Sequence, residues 1–129
     1  RSSNKPQAGC NSVLQLTNVV SDRGSKYAVT GGVVRNRADI DAFLKQLKRN
    51  RKFAKATHNS WAAIFADGTP LKGDDGESGA GMVIVRMLER ANLSDHLIVV
   101  TRWYGGVKLG GDRFRRVQDC VRAYCDARG

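Results

Sequence analysis

From Val13 to Val19 apolar and polar residues alternate, the two-residue period of a half-buried strand. A second β-rich run, Tyr27 to Val34, follows across Ser21-Asp22-Arg23-Gly24-Ser25, so the pattern predicts a β-hairpin. Ile40, Phe43, Leu44 and Leu47 then recur at helical spacing, with Asp39 and Asp41 near the start and Lys48, Arg49, Arg51 and Lys52 near the end. Such charges complement the dipole of an amphipathic helix. Trp61 to Ala66 is a short apolar run closed by Asp67-Gly68-Thr69-Pro70, the mark of an interior strand. Ala80, Val83, Ile84, Met87, Leu88 and Ala91 share one helical face, and Leu97 to Tyr104 begins as an apolar strand. Phe114, Val117, Val121, Tyr124 and Cys125 line a last helix whose expected N-cap lies at Gly111-Asp112.

The expected order is therefore β-β-α-β-α-β-α, a two-layer α+β domain over residues 13–129 behind a polar tail at residues 1–12. A strand–helix–strand unit defaults to a right-handed parallel crossover. Three helices on one sheet face would leave the other open. Trp61, Ala63 and Phe65 share one side of their strand, either in the core or free to stack bases. Met82 and Val85 fall opposite the Ile84 face, an apolar pair expected at the surface.

Composition narrows the partners. The chain has 129 residues, 22 basic against 12 acidic, for a formal charge of +10. That balance favours RNA, a ribosome surface or an acidic protein face. Arg35, Arg37, Lys45, Lys48, Arg49, Arg51, Lys52 and Lys55 form one basic surface, and Lys108, Arg113, Arg115, Arg116 and Arg122 a second. Lys45 and Arg49 point away from the apolar face of their helix, free to meet phosphate or simply solvated. Three cysteines, Cys10, Cys120 and Cys125, fit a reducing cytoplasmic setting with ordinary free thiols. Cys120 and Cys125 stand roughly 140° apart on their helix, which does not suit one shared metal. No long apolar run suggests a membrane span, and no cofactor or metal is expected.

Glycine-rich turns bracket the unit from Asp74 to Phe114. Asp74, Asp75 and Glu77 form the tight acidic cluster of a basic chain. They suit helix capping, an ion pair with Arg102, a partner contact or, less readily, Mg²⁺ or acid–base work. Gly105-Gly106 through Gly110-Gly111 follows a strand and opens a helix, the setting of a phosphate cradle. It lacks the dinucleotide and P-loop patterns, and Asp112 at the expected N-cap would occupy the anion's place. His58 and His96 lack a recognisable nucleophile context.

Several separated motifs occur together in order: Ala56-Thr57-His58-Asn59; Asp74-Asp75-Gly76-Glu77 with Gly81; and Arg102-Trp103-Tyr104-Gly105-Gly106-Val107-Lys108-Leu109-Gly110 with Asp112-Arg113-Phe114. In these the chain resembles the Impact family, in its eukaryotic form, from Val13 to about Ala127. The resemblance implies a fold similar to the second domain of ribosomal protein S5. It also implies translation regulation through the ribosome-associated activator of a starvation-sensing kinase, with actin as another partner. The family's eukaryotic members add an N-terminal RWD domain and its bacterial members a different second domain. No catalytic residue comes with the resemblance, so its motif positions are expected to form a functional surface. The expected function is a non-enzymatic, stress-response binding module that docks on RNA, the ribosome or a translation-control protein. The alternative is a small hydrolase or phosphate-handling enzyme built on the acidic loop, His58 and Arg102.

Overall fold

A computed structural model describes residues 13–129; the expected tail and Cys10 lie outside the described residues. The hairpin is present as β1 (Val13–Asp22) and β2 (Ser25–Val33). Its two-residue turn places Arg23 at φ 48° and Gly24 at φ 88°, the left-handed pair that matches strand twist in tight hairpins. α1 (Arg37–Leu47) starts where the Asn36 side chain accepts from the Asp39 amide. The basic segment that follows is not one continuous helix. The chain breaks at Lys48–Asn50 and restarts as the short α2 (Arg51–Ala54), because Asn50 caps the Lys52 amide.

β3 (His58–Ile64), β4 (Pro70–Gly73), α3 (Ala80–Arg90), β5 (His96–Trp103) and α4 (Asp112–Arg128) complete the chain. The strands lie in the order β1-β2-β5-β3-β4, and each neighbouring pair is antiparallel. The expected parallel crossover from the Trp61 strand through α3 is therefore corrected. β4 folds back on β3 first, so β3 and β5 meet antiparallel. The strands that α3 connects, β4 and β5, run parallel with β3 between them. Pro70, which has no amide to donate, starts β4 at the sheet edge, where its loss of a ladder bond is tolerated.

Helices cover both sheet faces. Ile84, Leu88, Val117, Val121 and Tyr124 from α3 and α4 pack with Val29, Ala62, Ile98 and Val100. Ile40, Leu47 and Phe53 from α1 and α2 pack with Ala28, Trp61, Ala63, Leu97 and Val99 on the opposite side. The α+β class holds, but the open sheet face does not exist. Trp61 and Ala63 are core on one side, Ala62 and Ile64 on the other, so no aromatic platform is free there. Val85 is likewise buried, in the core cluster that α3 and α4 share with the sheet, while Met82 is exposed.

His96 is buried on β5 with Tyr124 Oη 2.6 Å from its Nε2. Burial, aided slightly by Arg128, pushes its pKa from 6.5 down to about 4. The folded state thus holds His96 neutral, and protonation favours the unfolded chain. Stability from this site is full above about pH 6.5 and is lost as pH falls toward 4. Chemical unfolding at pH 7 and pH 4.5 is expected to differ, and the difference is expected to shrink in His96→Gln.

Candidate functional site

One end of the sheet carries a cleft of about 540 Å³. The start of β3 contributes Thr57 and His58, the acidic loop Glu77, and the end of β5 Arg102 and Tyr104. The turn into α4 adds Lys108 and Arg113. β5 pairing sets this convergence: His58 stands opposite Arg102 on one side and Tyr27 opposite Arg102 on the other.

At its floor Glu77 and Arg102 are both buried, with side chains 5% and 7% exposed. Arg102 Nη1 donates to Glu77 Oε1 at 2.8 Å and to Oε2 at 3.2 Å. His58 Nε2 lies 3.4 Å from Oε2, and Arg113 Nε lies 3.5 Å from Oε1. The carboxylate thus faces three nitrogen groups. Arg102 Nη2 also donates to Ser25 Oγ at 3.3 Å. Its Nε is buried without a partner among the described residues. The guanidinium carbon stands 5.7 Å from the ring centre of Tyr104, whose ring is exposed at the rim, within cation–π range.

The acidic loop divides its work. Asp74 accepts from the amides of Gly79 at 3.1 Å and Gly81 at 2.8 Å, capping α3. Those amides hold its carboxyl below the usual carboxylate range. Asp75 accepts from the Asn59 amide at 2.7 Å, and its carbonyl meets His58 Nδ1 at 2.9 Å. Since a carbonyl only accepts, His58 Nδ1 carries the proton. Asn59 is an internal strut: its side chain donates to Phe53 O and accepts from Thr101 Oγ1. Among the described residues no group of three or more His, Cys, Asp or Glu side chains is placed to hold a metal ion.

The motif residues therefore separate. His58, Glu77, Arg102 and Tyr104 meet in the cleft, whereas Asn59, Asp74 and Asp75 hold its walls. Trp103 packs edge-on to Phe53 and donates from Nε1 to Lys52 O at 3.0 Å. That bond ties α2 to the end of β5, while Arg51, Lys52 and Lys55 are not among the residues that line the cleft. Lys45 lies exposed on α1, and Lys48 and Arg49 lie exposed in the break after it, all apart from the cleft lining. Arg115 is exposed outside the lining, and Arg116 turns toward Asp22 and Asp119. Gly105 packs against Gly24, and Gly106 takes φ 95°.

Asp112 is not the N-cap. Gly111 occupies that place, and Asp112 binds Arg23 at 2.6 Å. The anion position at the turn is therefore not filled by its carboxylate. Sequence reading missed Ser25, which accepts from both Arg102 and the Gly105 amide. No local signal marks it, because 77 residues separate Ser25 from Arg102.

The family model described as the Impact N-terminal domain matches residues 23–125. The Protein IMPACT homolog of Caenorhabditis elegans is 36% identical over 111 residues, covering 81% of this chain and 43% of its own length. Human Protein IMPACT is 36% identical over 108 residues, covering 80% and 34%. The chain thus spans less than half the length of these curated relatives. Among solved structures, the two-domain translational regulator Yih1 superposes with a TM-score of 0.52 at 29% identity, covering 92% of this chain and 46% of that one. A hypothetical protein of known crystal structure, at 20% identity, shares the fold with a TM-score of 0.67 over 88% of this chain and 53% of its own. With four-fifths of its length matched by that family model, the chain belongs to the Impact family.

Proposed function

We propose that this domain is a non-enzymatic binding module in translation control that docks on RNA, free or ribosomal. The observation that carries this reading is the cleft rim. Exposed Tyr104 lines the cleft with Arg102, Lys108 and Arg113, and its neighbour Trp103 binds the Lys52 carbonyl of the basic α2. An aromatic face flanked by Lys and Arg is the arrangement that tracks a single strand by stacking and phosphate contact. Translation control is supported by similarity to proteins that include a translational regulator.

The hydrolase alternative draws on the same convergence of Glu77, His58 and Arg102. It is the weaker reading. Both Glu77 oxygens already face cationic or ring nitrogens, so the carboxylate is poorly placed to take a proton from a substrate.

Filter binding of a single-stranded RNA across salt tests the RNA reading. With about four phosphates contacted, affinity should fall about fiftyfold between 50 and 200 mM salt. Absence of binding at low salt would remove RNA and leave an acidic protein face as the partner class.

A further inference from the structure

The cleft has features that a general basic surface does not require. It is concave and about 540 Å³, within the size range of small-molecule sites. Arg102, with a side chain 7% exposed, keeps a buried Nε with no acceptor among the described residues. Arg113 Nε is buried with its nearest carboxylate at 3.5 Å and no hydrogen bond. Buried guanidinium nitrogens without acceptors are uncommon, and both of these belong to side chains that line the cleft.

The turn above points the same way. No backbone amide from Gly106 to Gly111 meets a backbone acceptor among the described residues, and the turn leads into the N-terminus of the 17-residue α4. Gly106, Gly110 and Gly111 have open space where a side chain would stand. The first amides of α4, at Asp112, Arg113 and Phe114, already donate to the carbonyls of Leu109, Gly110 and Gly111, so it is the amides of the turn itself that remain for an anion. With Asp112 drawn off to Arg23, that position is available. Lys108 lines the same wall.

Tyr104, 47% exposed, also lines the cleft, and its backbone amide donates to Thr57 Oγ1 at 2.9 Å. A fixed backbone with an exposed aromatic side chain, the Arg102 guanidinium 5.7 Å from its ring centre, is suited to stacking a planar base. The geometry points to a nucleoside monophosphate unit as the ligand: base on Tyr104, phosphate at Lys108, Arg113 and the Lys108–Gly110 stretch of the turn that lines the cleft. This inference rests on the RNA reading above and assigns one nucleotide of the strand to the cleft. A free mononucleotide carries the same chemistry. The charge balance permits it, since Arg102, Arg113 and Lys108 face one lining carboxylate, Glu77.

Calorimetric titration of the full chain with AMP, adenosine, inorganic phosphate and a single-stranded oligoadenylate separates these sources. AMP should bind at least tenfold more tightly than adenosine or phosphate. Tyr104→Ala should weaken AMP about tenfold or more through lost stacking, Tyr104→Phe should retain it, and Lys108→Ala should weaken AMP but not adenosine. A Lys48→Glu/Arg49→Glu variant in the turn after α1 should leave AMP binding unchanged. If oligoadenylate binds but AMP does not, and Tyr104→Ala leaves the oligonucleotide unaffected, the cleft assignment is overturned while RNA docking stands. If AMP binds and the oligonucleotide does not, the cleft takes free nucleotide and the RNA reading fails. Equal binding of phosphate and AMP overturns the base contact, and absence of all binding overturns both.

Discussion

Glu77→Ala is expected to destabilise the fold by about 3–5 kcal/mol, the usual loss when one member of a buried ion pair is removed. The cause is what remains. Arg102 stays on β5 with its side chain 7% exposed, and its surviving hydrogen bond is the one to Ser25 Oγ at 3.3 Å. The rings of Tyr27 and Tyr104, at 5.9 and 5.7 Å, offer only partial compensation. A guanidinium cannot shed its proton to escape, so the desolvation cost stands in full. Glu77→Gln should lose less, because an amide oxygen still accepts. The double variant Glu77→Leu/Arg102→Met should recover much of the loss, since the buried Arg102 charge goes with its partner and Arg113, with a side chain 34% exposed, keeps its contact with solvent. Urea midpoints at constant m-value measure all three. A loss below about 1 kcal/mol for Glu77→Ala would mean that the pair is screened like a surface bridge.

Gly105→Ala is expected to cost about 3 kcal/mol, at the upper end for overpacking. A β-carbon there would sit inside the backbone of Gly24 and Ser25. Because both obstacles are main chain, no rotamer change relieves the clash. Either the hairpin turn or the turn after β5 must move, and the second carries Tyr104. Gly106→Ala is the control: it has φ 95° and open space around it, so it should cost only the left-handed backbone strain of about 1–3 kcal/mol. Thermal unfolding ranks the two. Gly105→Ala should also weaken RNA binding beyond its loss of stability, because the rim ring moves with the turn.

Local periodicity made the hairpin, α3, β5 and α4 legible, since each carries enough apolar residues to declare its period. β4 was not, because four residues with Leu71 as the single large apolar side chain have no readable alternation. That omission also hid the antiparallel pairing of β3 with β5. Placement of α1 and α2 on the second face depends on which strand face Trp61 and Leu97 present, which no local pattern settles. The lone acidic cluster in a basic chain did suggest a partner for Arg102, and Glu77 is that partner. Asp112 was assigned by local capping preference, but Arg23, 89 residues away, competes for it with an ion pair. Arg113 reaching Glu77 likewise depends on the angle at which α4 leaves its turn.

The most direct measurement is an amide chemical-shift map of the ¹⁵N-labelled chain titrated with single-stranded RNA at low salt. The largest shifts should fall on Thr57, Tyr104 and the turn from Gly106 to Arg113, with smaller ones along Arg51 to Lys55. Shifts confined to α1, or none at all, would contradict RNA docking at this cleft.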